Sequence, residues 1–249
     1  MEAKIKIKQR LYPINLAHPI DISIPIQNTD EQVKAFQAPD VSFQPFIAGN
    51  FVGAVEAGSP VNFTNIHLNP HGNGTHTECV GHITNEGQTI NQTLGEYFFS
   101  ARLVTIEPGK QQNGDRIITK EQIAENWKGG QPEAFIIRTY PNSPSKMTYD
   151  YSGTNPPYLT PEAISFLVEK EVRHLLLDLP SVDKEDDGGE LASHKMFWQY
   201  PSNPRQDATI TELIYVPDKA RDGFYILNLQ IASFELDASP SKPVLYQIE

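Results

Sequence analysis

The sequence predicts a mixed α/β protein in which strands outnumber helices. Two short runs, at residues 134–139 and 174–178, are continuously apolar, which is typical of strands buried on both faces. Two amphipathic stretches with capping residues lie between predicted strands and are typical of helices. The 20 Pro and 16 Gly imply many turns. We therefore expect mixed sheets covered by a few helices.

The first predicted strand lies at the N-terminus, where Ile5 and Ile7 alternate with Lys4, Lys6 and Lys8. This two-residue period is typical of an edge strand with one solvated face and charges that discourage further pairing. Further strands are predicted at residues 101–107, 134–139, 174–178, 209–216 and 223–231.

The first helix is predicted to begin after Thr119, because Thr119 and Gln122 have the spacing of a capping box. The second is predicted to begin after Thr160, where Pro161 occupies the first helical position. Its apolar stripe consists of Ile164, Leu167, Val168 and Val172. A third, short helix is predicted near Leu191.

Composition excludes several classes of protein. The 249 residues carry 20 Lys plus Arg and 31 Asp plus Glu, a net charge of −11, which argues against a nucleic-acid-binding protein. No apolar run approaches the length of a membrane span. The N-terminus resembles no secretory signal, and the single cysteine, Cys79, excludes an internal disulfide framework. We expect one domain over residues 1–249, no membrane or nucleic-acid partner, and a cytoplasmic location.

Residues 67–82, HLNPHGNGTHTECVGH, contain four of the seven histidines of the chain. Imidazole is the commonest protein ligand for zinc and similar ions, and Glu78 places a carboxylate between His76 and His82. Composition alone leaves a second interpretation open, a histidine-rich surface loop without a function.

Residues 74–82, GTHTECVGH, resemble the signature of the putative cyclase family, which includes bacterial kynurenine formamidase and isatin hydrolase. The family motif is H-x-G-T-H-x-D-x-P-x-H, and Gly74, Thr75, His76 and His82 match it in place.

The sequence departs from the motif at three positions. Glu78 stands where the family has Asp, and Val80 stands where it has Pro. The first histidine of the motif aligns with Gly72, whereas this chain has His71 one residue earlier. Two departures affect metal ligands, and the third, Val80, is expected to affect only packing.

Other segments resemble the family in the correct order along the chain. These are NLAHPI at residues 15–20, HLLLDLPSVD at 174–183, then His194 and Glu212, and the C-terminal ASPSKPV, which resembles the family ending D-G-S-P-x-R-x-V. The resemblance implies a swivelling β/β/α domain.

The resemblance also implies site residues. The implied metal ligands are His71, His76, Glu78, His194 and Glu212, with His82 as the general acid and base. They would bind one or two divalent ions per chain, with Zn²⁺ expected and Mn²⁺ as the alternative. Asp178 and Asp183 are expected to cap turns or to orient ligand histidines.

The function implied by these residues is metal-dependent hydrolysis of an amide-type bond, an aryl formamide or a cyclic amide, in a small aromatic substrate. Relatives are commonly oligomeric, so a homodimer is expected. Two alternatives stay open. One is a lactonase or cyclic-imide hydrolase of the same family, and the other is a non-catalytic small-molecule-binding protein whose metal site has degraded.

Overall fold

In the computed structural model of this protein, which describes residues 1–7 and 9–248, seven strands close into a barrel with helices on one side. The strands are β1 (Glu2–Ile7), β2 (Arg10–Asn15), β3 (Ile20–Asp21), β4 (Ser42–Pro45), β5 (Ile47–Ala48), β6 (Phe51–Val52), β7 (Thr64–His67), β8 (His76–Glu78), β9 (Phe98–Ile106), β10 (Gly109–Lys110), β11 (Arg116–Ile118), β12 (Ala134–Thr139), β13 (Tyr158–Leu159), β14 (His174–Leu177), β15 (Thr209–Glu212), β16 (Gly223–Ile231) and β17 (Ala238–Gln247). The α-helices are α1 (Ile90–Thr93), α2 (Lys120–Asn126), α3 (Pro161–Glu169) and α4 (Ala192–Trp198), and 3₁₀ turns span Val55–Ala57, Val80–Ile83 and Pro144–Met147.

The barrel follows the order β16-β9-β12-β14-β15-β8-β17, and β17 pairs back onto β16 to close it. Strands β9, β12, β14 and β15 are parallel, whereas β8, β17 and β16 pair antiparallel with their neighbours. Closure removes the open sheet edges that would otherwise attract other chains.

The parallel strands separate two apolar cores, which explains their continuous apolar runs. On β14, Leu176 faces the barrel interior, while Leu175 and Leu177 face the helices. The helical side is filled by α2, α3 and α4, and Phe197 and Trp198 of α4 are fully buried there. Side chains on both faces are therefore removed from water, which is the dominant stabilising contribution to such a fold.

The predicted strands are confirmed, with differences at some ends. Strands β12 and β16 have the predicted bounds, and every residue of β12 and β14 is buried. Strand β9 begins three residues earlier than predicted. Strand β15 ends at Glu212 instead of residue 216, because Leu213 adopts a positive φ of 53° and turns the chain away.

The predicted helices are confirmed at their capping residues. Thr119 and Gln122 form the capping box of α2, and the Thr160 side chain accepts a hydrogen bond from the amide of Ala163 at the start of α3. Helix α4 begins directly after Leu191, as predicted.

The N-terminal strand β1 pairs with β2 in a separate two-stranded sheet. Its lysines are exposed and its isoleucines are half-buried, as the alternation predicts, although Lys8 lies outside the described residues. Among the residues described, no helix combines the length and the apolar character needed to cross a lipid bilayer.

Candidate metal centre

Two neighbouring barrel strands place His76, Glu78 and Glu212 side by side. Strand β8 carries His76 and Glu78 two residues apart, so both point to the same face, and His76 is the register partner of Glu212 on β15. The distance from His76 Nε2 to Glu212 Oε2 is 3.5 Å. All three side chains are almost completely buried. Ile210 shares this face, which is the one covered by helix α4.

Helix α4 contributes His194 to the same cluster. His194 Nε2 lies 3.1 Å from Glu78 Oε1 and 4.0 Å from Glu212 Oε1. Its other ring nitrogen, Nδ1, donates to Asp183 Oδ2 at 2.6 Å, and the same carboxylate accepts the amides of Ser193 and His194 at the start of the helix. Asp183 therefore fixes the ring of His194 and caps the start of helix α4, and its predicted role in orienting a ligand histidine stays a prediction.

His71 reaches the cluster despite its displacement by one residue. Its Nδ1 lies 3.1 Å from Glu78 Oε2, and its Nε2 donates to Asp237 Oδ2 at 2.8 Å. A histidine could not occupy position 72, because a Cβ on Gly72 would lie 2.3 Å from the Cβ of Ala38. The displacement from the family position thus has a steric reason in this chain.

His82 lies in the 3₁₀ turn that follows β8 and is partly exposed. Its Nδ1 donates to Asp237 Oδ2 at 3.1 Å, and its Nε2 lies 3.8 Å from Glu78 Oε2. The His82 ring stacks on His71 with centroids 4.3 Å apart. Asp237 therefore holds both rings through one carboxylate oxygen.

Asp237 is the site residue that the sequence analysis missed. It stands directly before β17, whose first residues pair with β8 and so bring Asp237 next to the histidines. The family ending D-G-S-P-x-R-x-V begins with an aspartate, and Asp237 stands in that place, one residue before the ASPSKPV segment. That alignment was the signal that could have found it.

The cluster carries an excess of negative charge. Burial lowers the pKa of His194, but its hydrogen bonds to Asp183 and Glu78 outweigh burial and raise the pKa to about 10. Burial likewise lowers the pKa of His71, and contacts with Asp237 and Glu78 raise it to about 10. The carboxylates around both rings therefore favour positive charge at this position, which indicates a site that attracts cations.

The pKa of Glu212 reflects the same excess of negative charge in the cluster. Burial and the neighbouring charge of Glu78 raise the pKa of Glu212 above its usual range. For Glu78 itself, burial acts in the same direction, but His82, His194 and His71 hold its pKa well below the usual value. Two buried carboxylates this close are costly unless a cation accompanies them.

Two buried atoms in the cluster have no hydrogen-bond partner, His76 Nε2 and Glu78 Oε2. Buried polar atoms are rarely left in this state, and metal coordination is one way to satisfy them. Donor atoms of His71, His76 and Glu78 lie within 4.8 Å of one another, as do those of Glu78, His82 and His194. Glu78 belongs to both groups, and each of its oxygens faces a different histidine.

The second ring nitrogen of each candidate ligand histidine is bound to the protein. His76 Nδ1 donates to the carbonyl oxygen of Gly74 at 3.0 Å, His194 Nδ1 to Asp183, and His71 Nε2 to Asp237. Metal-binding histidines commonly have such an outer partner, because it fixes the ring and its tautomer. The donor set therefore fits a divalent ion.

Every predicted site residue is brought into this cluster, namely His71, His76, Glu78, His82, His194 and Glu212. His67 and His174 lie outside it. His67 is exposed at the end of β7, and His174 is buried against Phe99. Val80 is buried in the apolar core beside the helices, in agreement with the packing role predicted for it.

Comparison with known proteins identifies the family of this chain. Residues 14–184 match the model of the family described as Putative cyclase, and the chain belongs to that family. A kynurenine formamidase of Bacillus cytotoxicus is 28% identical over 192 residues, which cover 76% of this chain and 82% of the relative. A kynurenine formamidase of Bacillus cereus is 29% identical over 195 residues, with 78% and 83% covered.

Solved structures share the fold. Isatin hydrolase A from Labrenzia aggregata, bound to benzyl benzoate, superposes with a TM-score of 0.68 at 14% identity and covers 93% of this chain and 94% of its own. A protein described as a predicted metal-dependent hydrolase from Bacillus stearothermophilus superposes with a TM-score of 0.65 at 17% identity, covering 92% and 98%. The predicted fold class is therefore confirmed.

Proposed function

We propose that the protein is a metal-dependent hydrolase that cleaves an amide-type bond, an aryl formamide or a cyclic amide, in a small aromatic substrate. The observation that carries the proposal is the buried cluster of histidines and carboxylates, in which His76 Nε2 and Glu78 Oε2 face oppositely charged side chains but have no hydrogen-bond partner. The kinship with kynurenine formamidases supports the choice of bond.

The residues that would hold the metal are His71, His76, Glu78, His194 and Glu212. Three imidazoles and two carboxylates suit Zn²⁺, which we propose as the native ion, and they also accept Mn²⁺. Because the two oxygens of Glu78 face different histidines, these residues would supply donors for one or two ions. When bound, such an ion polarises a carbonyl and lowers the pKa of water towards neutrality.

His82 would move the proton. With Nδ1 donating to Asp237, the neutral ring has its lone pair on Nε2, on the side of Glu78 and of the cluster. Nε2 would accept the proton of the attacking water and then donate it to the departing amine nitrogen. The side chain of His82 is 29% exposed, so a substrate can approach it from solvent.

Asp237 would position this base. The Asp237 carboxylate accepts from both His71 and His82, and these two hydrogen bonds lower its pKa, so it stays ionised. An ionised partner at Nδ1 stabilises the imidazolium that forms when Nε2 takes a proton. His71, stacked on His82, limits the rotation of the ring.

Metal analysis combined with turnover tests the proposal. The purified protein, dialysed without chelator, is expected to hold one or two equivalents of zinc or manganese, and the Glu78→Gln and His194→Ala variants are expected to lose it. The loaded protein is assayed with formanilide, isatin and a simple aryl lactone. Hydrolysis of formanilide or isatin in preference to the lactone supports an amidohydrolase, and the reverse preference favours a lactonase.

A matched pair of histidine variants tests the role of His82. His82→Ala is expected to retain metal and to lose about 10²- to 10⁴-fold in kcat, the usual contribution of general acid–base catalysis. His67→Ala removes an exposed histidine outside the cluster and is expected to retain full activity. Unchanged turnover in His82→Ala would refute the proton-transfer role, and failure to bind zinc or manganese would favour a non-catalytic binding protein.

A further inference from the structure

The N-terminal hairpin of β1 and β2 stands beside the barrel and leaves a cavity of about 820 Å³ between the two. Ile7 and Tyr12 of the hairpin line one side of this cavity, and Ser100 of β9 and Phe224 of β16 line the other. The cavity opens to solvent, and pockets of this volume commonly hold small organic molecules.

The hairpin cavity is separate from the candidate metal centre. Strands β12 and β14 lie between β9, which lines the cavity, and β15, which carries Glu212. The register of these four parallel strands places Ala101 level with Thr209, three residues before Glu212. In the described part of the chain, no residue that lines the cavity belongs to the histidine and carboxylate cluster. A ligand in the hairpin cavity would therefore not contact the metal ligands.

The charges on the cavity wall are all positive. Arg10 and Lys128 line the cavity, and among its described lining residues there is no Asp or Glu. Within residues 1–7 and 9–248, neither of these two side chains forms an ion pair or a hydrogen bond. The whole chain has an excess of acidic residues, with a net charge of −11, so a wall with cations alone departs from its average. Such cations are free to form charge-assisted hydrogen bonds with an anion.

A third cation lies behind the wall. On β9, Ala101 and Leu103 face the barrel interior, so Arg102 shares the outer face with Ser100. Arg102 is 6% exposed, its Nε has no hydrogen-bond partner, and its guanidinium carbon lies 4.7 Å from the centre of the Phe224 ring. Burial lowers the pKa of Arg102, although the charge of Asp222 acts in the opposite direction. A buried cation without a close partner is costly, and an anion in the neighbouring cavity would offset that cost.

The remaining wall suits a flat apolar molecule. Tyr12 and Phe224 contribute aromatic rings, and Ile7 and Ile248 contribute aliphatic side chains. Aromatic rings favour stacking or edge contacts with another ring. We propose that the hairpin cavity is a second binding site, which takes an aromatic carboxylate. Its ring would pack against the apolar wall and its carboxylate would pair with Arg10 and Lys128, whether or not the metal centre is catalytic.

Isothermal titration of the full, zinc-loaded chain with 2-naphthoate tests this proposal. One 2-naphthoate is expected to bind per chain, and 2-naphthamide, which has the same ring without the charge, is expected to bind at least about 10-fold more weakly. The double substitution Arg10→Met with Lys128→Met removes both cations of the wall and is expected to weaken 2-naphthoate binding at least about 10-fold.

A matched control removes the same two charges elsewhere. Lys110 and Arg116 are exposed register partners on β10 and β11, outside the cavity. Lys110→Met with Arg116→Met changes the net charge by the same amount and is expected to leave 2-naphthoate binding unchanged. The buried cation has its own pair of variants. Arg102→Met is expected to weaken binding, whereas Arg102→Lys keeps the charge and is expected to retain it.

A carboxylate can also coordinate zinc, so the metal centre needs a separate control. His194→Ala, which is expected to lack the metal, should bind 2-naphthoate with the affinity of the wild type. Loss of binding in His194→Ala would place the ligand on the metal and overturn the proposal. Equal affinities for the carboxylate and the amide, or unchanged affinity in the Arg10 and Lys128 double variant, would overturn it as well.

Discussion

Replacement of His174 is expected to remove part of the acid sensitivity of this protein. His174 is 2% exposed, its Nδ1 is 2.9 Å from Thr209 Oγ1, and its Nε2 has no partner. Burial, together with the positive charges of Arg173 and Arg205, lowers its pKa from 6.5 to about 3. The native state therefore keeps this ring neutral, while the unfolded chain binds a proton below pH 6.5.

The sign and size of the effect follow from this difference. Because the pKa is lower in the folded state, stability is present above pH 6.5 and is lost as the pH falls towards 3. Between pH 7 and pH 5 the unfolded state gains about 2 kcal/mol from protonation of this one residue. His174→Asn cannot titrate in this range, so its stability should fall by about 2 kcal/mol less than that of the wild type over the same interval.

Urea unfolding measures how much stability the wild type and His174→Asn each lose between pH 7 and pH 5. It is monitored by tryptophan fluorescence, with a chelator present and at one protein concentration. The comparison between pH values cancels the loss of ring packing against Phe99, which lowers the stability of the variant at both. His18→Asn changes an exposed histidine and should keep the wild-type pH dependence. If His174→Asn lost as much stability between pH 7 and pH 5 as the wild type, the buried neutral state of His174 would be refuted.

Three further predictions concern the site and its support. Asp183→Asn is expected to weaken zinc binding about 10- to 100-fold, because it weakens the hydrogen bond that fixes the His194 ring. Titration against a competing chelator measures the affinity, and an unchanged value would contradict the orienting role of Asp183. Lys146→Met is expected to lower the free energy of unfolding in urea by about 3 kcal/mol, because it leaves the buried Asp178 without its ion-pair partner at 2.8 Å. A decrease of less than about 1 kcal/mol would show that the amide of Thr139 is a sufficient partner for Asp178. Gly72→Ala is expected to lower the free energy of unfolding by about 1–3 kcal/mol because its Cβ would clash with Ala38. Gly95→Ala places a Cβ in open space and should destabilise the protein less. Thermal unfolding compares the two variants, and equal destabilisation would refute the steric explanation.

The parts of the fold that sequence could predict are those governed by local chemistry. The capping box of α2 and the Thr160–Pro161 start of α3 depend on a few neighbouring residues, so the starts of both helices follow from the sequence. The end of α3 does not, because the predicted apolar stripe extends to Val172 while the helix ends at Glu169. The continuously apolar β12 and β14 were recognisable for the same reason.

Closure of the barrel was not predictable in this way. It depends on β17, which contains Pro240 and Pro243 and therefore lacks a strand-like local pattern. That strand pairs with β8 through residues 238–240 and with β16 through residues 241–247, contacts far apart in the chain. Long-range pairing of this kind leaves almost no local signal.

The candidate site also combines residues that the sequence could identify with one that depends on long-range pairing. Residue type and spacing placed His76, Glu78 and His82 together, and the resemblance to the family added His194 and Glu212. Asp237 depends on the closure of the barrel, because only the pairing of β17 with β8 brings it to the histidines. A residue whose role arises from barrel closure is invisible to spacing arguments.

The two ligand departures from the family motif, Glu78 and His71, contact one another in the structure. Glutamate at position 78 extends its carboxylate by about 1.5 Å relative to aspartate, so its oxygens reach further from β8. The Nδ1 atom of His71 faces the Glu78 carboxylate, because the Nε2 atom donates a hydrogen bond to Asp237. The displaced histidine, the longer carboxylate and the aspartate before β17 therefore form one arrangement, which a change in any single member would disturb.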